Sequence, residues 1–219
     1  MDPANLFDFP SAAIVIGGTA LATARRCGPA GLADTARALA HLVSPGFDAD
    51  SARSEMAVQV REIEQDGLLR AHPHNFHDTE FDDVAETLFG ARSVTALLAR
   101  HEAHRDRRMA VARRASGTLA QAAELAPVFG MVGTLVSLSQ LPANGLAAGA
   151  LGGAISMAVL TTLYGLLLAN LLLAPLSRAI DRDAAAEEAE RQQIVDWLAA
   201  HVENSLPAPR SENAPRRQP

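Results

Sequence analysis

Between Leu125 and Leu141, and again between Leu146 and Leu176, the chain carries no charged residue, so a proton or a cation there can be handled only by uncharged polar groups, hydroxyls foremost. Thr134 stands in APVFGMVGTLVSL (126–138) and Thr162 in MAVLTTLYG (157–165). A threonine hydroxyl donates one hydrogen bond and accepts two, which in an apolar setting suits it to hold water or a passing ion. On a helix advancing about 100° per residue, Pro127, Gly130, Thr134 and Ser137 share one narrow face, while Val128, Met131, Leu135 and Leu138 fall to another side of it. Ala158, Thr162, Gly165 and Ala169 form a second small-residue stripe, Ala13, Gly17, Ala20 and Ala24 a third, and Gly133 completes the glycine pair of GMVGT. Proline removes an intrahelical hydrogen bond, and an interior glycine costs about 1 kcal/mol in water. In lipid, small residues let helix backbones approach closely, and packing replaces the lost propensity. The same faces also fit plain packing surfaces whose hydroxyls bond back to their own helices.

Other chemistry finds little support. IVIGGT (14–19) and GMVGT lack the full dinucleotide fingerprint. His72, His74 and His77 crowd one short segment, and His101 and His104 lie one helical turn apart. No cysteine joins them, their spacing fits no zinc pattern, and they read as exposed polar surface. Cys27 is the single cysteine, which excludes an intrachain disulfide and suits a reducing compartment. With no nucleophile, metal cluster or acid–base pair, no enzyme and no cofactor are expected.

The elements that must position the threonines are membrane helices. Mean hydropathy over the 219 residues is only +0.06, an average that hides an uneven distribution. The uncharged run 146–176 exceeds the roughly 20 residues that cross a bilayer. Residues 119–141 are long enough if their first turns lie in the interface, and FPSAAIVIGGTALATA (9–24) is a shorter third candidate. Every basic residue is arginine. Arg25 and Arg26 follow the first segment, Arg107, Arg108, Arg113 and Arg114 precede the second, and Arg178 and Arg182 follow the third. The connection LPANGLAA has none, so the arginine-flanked ends are expected in the cytoplasm and the N-terminus outside. Met56, Val60 and Ile63, then Phe81, Val84 and Leu88, recur at helical spacing, Asp78 or Thr79 could cap, and GPAG (28–31), SPG (44–46) and HPHN (72–75) mark breaks. The expectation is an all-α integral membrane protein. A periplasmic start and first membrane helix occupy 1–24, a cytoplasmic helical bundle 25–116, and the second and third membrane helices 117–176. A cytoplasmic helix (177–204), with Ile194, Val195, Trp197 and Leu198 facing a neighbour, precedes a disordered tail (205–219).

AELAPVFGMVGTLVSLSQL and AISMAVLTTLYGLLLANLLLAPLSRAI resemble the third and fourth membrane helices of the MotA branch of the MotA/TolQ/ExbB proton channel family. FPSAAIVIGGTALATA is similar to the helix before them, and VREIEQDGLL (60–69) to the cytoplasmic segment that follows it. The resemblance implies a pentamer around two copies of a MotB/TolR/ExbD-like partner with one membrane helix, in the bacterial inner membrane, where ion flow drives motion. It maps channel-lining threonines onto Thr134 and Thr162 and a functional proline onto Pro127. It also places the essential acid on the partner, consistent with the absence of Asp and Glu from the deep parts of these spans, Glu124 lying near the cytoplasmic interface. Gly130, Gly133, Ala158 and Gly165 would serve close packing or gating. Against the four spans of the MotA branch, the first is expected to be missing here, which leaves the three-span arrangement of TolQ and ExbB. Proton or sodium, and a flagellar or another load, both stay open, and a non-conducting membrane scaffold is the rival from another class.

Overall fold

The computed structural model describes residues 8–44, 46–66, 78–141 and 148–205, and every element among them is helical. The elements are α1 (Phe9–Val43), α2 (Ala49–Asp66), α3 (Thr79–Ala91), α4 (Val94–Ser139), α5 (Ala148–Leu167), a π-helical turn (Leu168–Leu173) and α6 (Ala174–Ser205). They form two compact units, each discontinuous in sequence, and α4 and α6 contribute to both. The boundaries expected near 24, 116 and 176 all fall inside helices. His72, His74 and His77, and the expected tail after Ser205, lie outside the described residues.

The first unit takes residues up to Gly46 and Arg108–Ala185. Asp8 caps α1, accepting from the Ser11 backbone N–H at 3.1 Å, with Pro10 in the first turn where its missing donor is no loss. The GPAG break is a kink rather than an end. Gly28 sits at φ 70°, ψ 176°, outside helical space and open to glycine, and the helix resumes through Pro29 to Val43. SPG does end it, with Ser44 as the C-cap. As numbers rise along α1 they fall along α4: Gly18 lies against the Phe129 ring, Cys27 Sγ donates to Gln121 Oε1 at 3.5 Å, and Arg114 Nε donates to Asp34 Oδ2 at 2.8 Å. The two helices are therefore antiparallel. The Asp8 backbone N–H donates to the Tyr164 hydroxyl of α5 at 3.1 Å, and Ser177 at the start of α6 donates to the Ser116 carbonyl of α4 at 2.9 Å. A small core of Ala112, Ala115, Leu119 and Ile180 joins these helices.

Two helical runs among the described residues are long and apolar enough to cross a membrane, Val94–Ser139 and Leu151–Glu203. The start of α1, the shortest of the three expected spans, is not among them. Its small-residue stripe is not the face packed inside this chain. Ala13, Gly17 and Ala20 are exposed, and the buried row is Ser11, Val15, Thr19 and Thr23. The reason is visible at the glycine pair, since a Cβ on Gly17 would meet nothing within 4 Å whereas one on Gly18 would strike Phe129. The closely packed glycine of α1 is the one beside the expected stripe.

The second unit takes Phe47–Arg107 and the chain from Ala186 onward. Met56 and Val60 of α2, Phe81, Val84 and Leu88 of α3, Leu97 of α4, and Ile194, Val195 and Leu198 of α6 form one buried core. These are residues the apolar periodicity picked out, Leu97 being the addition; the side chain of Ile63 is not described. Asp78 is the α3 cap, accepting from Glu80 N–H at 2.9 Å and Phe81 N–H at 3.3 Å. Glu80 and Asp82 in the first turn suit the positive end of the helix dipole.

Candidate functional site

The first unit brings the sequence-selected residues of α4 and α5 together. Pro127 lies within α4, where its ring withholds the backbone donor of one helical turn, and Gly130 and Gly133 follow on the side turned to α5. The contact is backbone on backbone. A Cβ on Gly165 would come to 2.7 Å from the Ala126 carbonyl oxygen and 3.2 Å from the Cα atoms of Gly130 and Pro127. One on Gly130 would reach 3.0 Å from the Thr161 carbonyl oxygen, and one on Gly133 would reach 2.6 Å from Thr161 Cβ. Thr161 fills the space beside Gly133 and is fully buried, a role its equally good neighbour Thr162 concealed in the sequence. Val128, Met131 and Leu135 point away from this contact and are exposed, while Leu138, also exposed, stands beside Thr134 at the groove.

Where the two helices part, Thr134 and Thr162 line one groove of about 490 Å³ with Leu138, Ile155, Ala158, Val159, Leu163 and Leu166. Its wall is otherwise hydrocarbon. Both hydroxyls donate to their own helix, Thr134 to the Met131 carbonyl at 2.6 Å and Thr162 to the Ala158 carbonyl at 3.2 Å. Each donor is thereby used, and the oxygen keeps its acceptor capacity. An acceptor in an apolar groove is what a hydronium, a sodium ion or a protonated carboxyl would seek. Below the groove, Asn170 in the π-turn donates to the Leu166 carbonyl at 3.0 Å. Such turns accompany functional sites often, and no pattern in LANLLL announces one.

The second unit is built on charges. Arg191 is buried, donates to Asp78 Oδ2 at 2.6 Å and Glu187 Oε1 at 2.8 Å, and stacks over the Phe47 ring at 4.1 Å. Burial works against its charge, but the bonds to Asp78 and Glu187 outweigh burial and hold its pKa above the ordinary arginine value. Asp83 accepts from Arg100 and His104, bonds that depress its carboxyl pKa. His101 corrects an expectation. Rather than lying on a helix surface it is 4% exposed, with Nε2 3.4 Å from Glu188 Oε1, and burial lowers its pKa despite the opposing pull of Glu188 and Gln192. Its helical register fits either face, and only the packing of α6 on α4 decides between them.

Comparison with known proteins fits this geometry. The sequence model of the MotA/TolQ/ExbB proton channel family matches residues 84–193. Motility protein A of Cereibacter sphaeroides is 27% identical over 208 residues, 89% of this chain and 78% of that protein. Chemotaxis protein PomA of Vibrio alginolyticus is 34% identical over 84 residues, 38% of this chain and 33% of that one. Among solved structures, MotAB of C. jejuni superposes with a TM-score of 0.83 at 15% identity, covering 94% of this chain and 82% of that one. The flagellar MotAB stator complex of Bacillus subtilis gives 0.81 at 17%, covering 92% and 80%. Apolar helices of membrane-spanning length, a glycine-packed helix pair and the matched core of the sequence agree: the chain belongs to the MotA/TolQ/ExbB proton channel family.

Proposed function

We propose that this chain is a stator-like subunit of an ion-driven motor in the bacterial inner membrane, five copies enclosing two of a single-span partner that carries the essential acid. The observation that carries the reading is the groove itself: Thr134 and Thr162, from two different helices, meet at one apolar surface while Gly130 and Gly165 hold their backbones together. Three spans cannot enclose a path alone, so the groove faces the partner helices, and ions, protons in the first instance, pass between its hydroxyls and the partner's carboxyl. Pro127, Gly133 and Ala158 shape the same contact and let α4 adjust as the ion passes. Residues 25–116 and 177–204 lie in the cytoplasm and transmit the motion. The rival reading, a non-conducting scaffold, draws on the two threonine hydroxyls being bonded back to their own helices.

Coexpression with a candidate partner, followed by native mass spectrometry, tests the assembly. Five of this chain with two of the partner is expected, and a stable lone monomer sinks the reading. For the orientation, Arg26→Cys in a Cys27→Ser background supplies an exposed thiol just beyond the first span. It should resist an impermeant maleimide in sealed spheroplasts and react once the membrane is opened. Reaction before opening reverses the topology.

A further inference from the structure

A buried hydroxyl on a helix ordinarily donates to the carbonyl three or four residues back, and this chain follows that habit. Thr35, Thr87, Thr118, Thr134, Thr161 and Thr162 all do so. Thr19 and Thr23 do not. Both are buried, at 3% and 6% exposure, and neither hydroxyl has a partner among the described residues. They are one helical turn apart on the buried row of α1, which starts at Ser11 and Val15 and runs on to Cys27, whose thiol meets Gln121 of α4. Around that row, Gly18 touches Phe129 of α4, and the Asp8 N–H meets Tyr164 of α5.

Polar atoms buried this deeply are almost always bonded, to protein or to ordered water. Val15 on the same row shows that a β-branched hydrocarbon fits there, and valine would match threonine in shape without stranding an oxygen. We propose that Thr19 and Thr23 bind internal water in the seam between α1 and the α4–α5 pair. The seam shares no residue with the Thr134–Thr162 groove. It gives the membrane part of the chain a second wet surface, which runs along α1 toward the buried Asp34 and its Arg114 partner. This inference rests on the reading that the first part of α1 lies in the membrane.

Cysteine scanning tests it in the full chain with its partner, in inner-membrane vesicles and a Cys27→Ser background. Threonine and cysteine are close in size, and only a thiolate, which needs water to form, attacks the sulfenyl sulfur of a methanethiosulfonate reagent, forming a mixed disulfide and expelling methanesulfinate. Thr19→Cys and Thr23→Cys should react at least about tenfold faster than Val15→Cys on the same row and Leu21→Cys on the exposed side. Thr19 and Thr23 variants as slow as the Val15 variant would overturn the wet seam. A Leu21 variant as fast as Arg26→Cys would instead overturn the membrane placement of α1. Thermal unfolding of Thr19→Val and Thr23→Val supplies an independent sign. A wet seam loses a hydrogen bond and the midpoint falls, whereas a rise or no change means the hydroxyls are dry.

Discussion

Substituting alanine for Gly165 adds one methyl group where two backbones already touch. Its Cβ would sit 2.7 Å from the Ala126 carbonyl oxygen and 3.2 Å from two Cα atoms, none of which belongs to a flexible side chain able to swing aside. α4 and α5 must therefore move apart, which also loosens Gly130 and Gly133 against Thr161. Overpacking of this kind costs about 1 to 3 kcal/mol, and rigid contacts put Gly165→Ala at the upper end. For a chain of this length about 2 to 3 kcal/mol corresponds to a fall of roughly 4 to 12 °C in the thermal midpoint. Gly17→Ala is the internal control, because its Cβ meets nothing within 4 Å and alanine improves helix propensity. Unfolding of both variants in detergent, followed by the fluorescence of the single Tyr164 in a Trp197→Phe background, reads the difference in the unit that holds both glycines. Should Gly165→Ala melt at or above the midpoint of Gly17→Ala, the close α4–α5 contact is not what holds the pair together.

The other expectations concern the second unit. Arg191→Met leaves Asp78 and Glu187 facing each other without their cation and should cost about 2 to 4 kcal/mol, the partners' partial exposure lowering the full buried-pair figure; trypsin sensitivity at Arg100 and Arg105 should rise with it. An unchanged digestion pattern would show that the apolar core alone carries the bundle. Asp78→Ala removes both the α3 cap and one Arg191 partner and should destabilise by more than the about 1 kcal/mol typical of a cap, measurable by urea unfolding. His101 has a folded pKa below its unfolded value of about 6.5, so the stability it contributes is present above that pH and is lost as pH falls from there through the folded pKa. Its share of the slope cannot exceed about 1.4 kcal/mol per pH unit, and His101→Gln should flatten the decline in melting temperature between neutral and mildly acidic pH. An equally steep decline in the variant would assign the effect to the surrounding carboxylates.

What the sequence made legible followed from periodicity and charge. Met56, Val60, Phe81, Val84 and Leu88 repeat at helical spacing and are core residues, and Asp78 caps the helix it precedes, because local geometry alone fixes these roles. The small-residue face of α4 could be read because Pro127, Gly130, Thr134 and Ser137 differ so much in bulk from Val128, Met131 and Leu135. The stripe on α1 is not the face that meets α4. Small residues mark a close contact only where a neighbour arrives, and no local pattern says that Phe129 arrives at Gly18 and leaves Gly17 open. His101, Thr161 and the hydroxyls of Thr19 and Thr23 stayed hidden because their surroundings come from helices distant in sequence. The π-turn at Leu168–Leu173 has no signature in so uniform a run of leucine.

The proposed ion path at Thr134 and Thr162 is best tested by flux. Proteoliposomes holding the chain with a candidate single-span partner would be compared for wild type, Thr134→Val, Thr162→Val and a variant of the membrane carboxylate proposed for that partner. Valine keeps the shape, and each threonine donor bonds only to its own helix, so assembly should be preserved while the acceptor is lost. Losing a hydrogen bond to a charged species, about 1.5 to 3 kcal/mol, slows passage by roughly ten- to a hundredfold. Proton or sodium flux reduced in both valine variants at unchanged protein level is the expected result. Flux equal to wild type in both would contradict the assignment and leave the two threonines as packing residues.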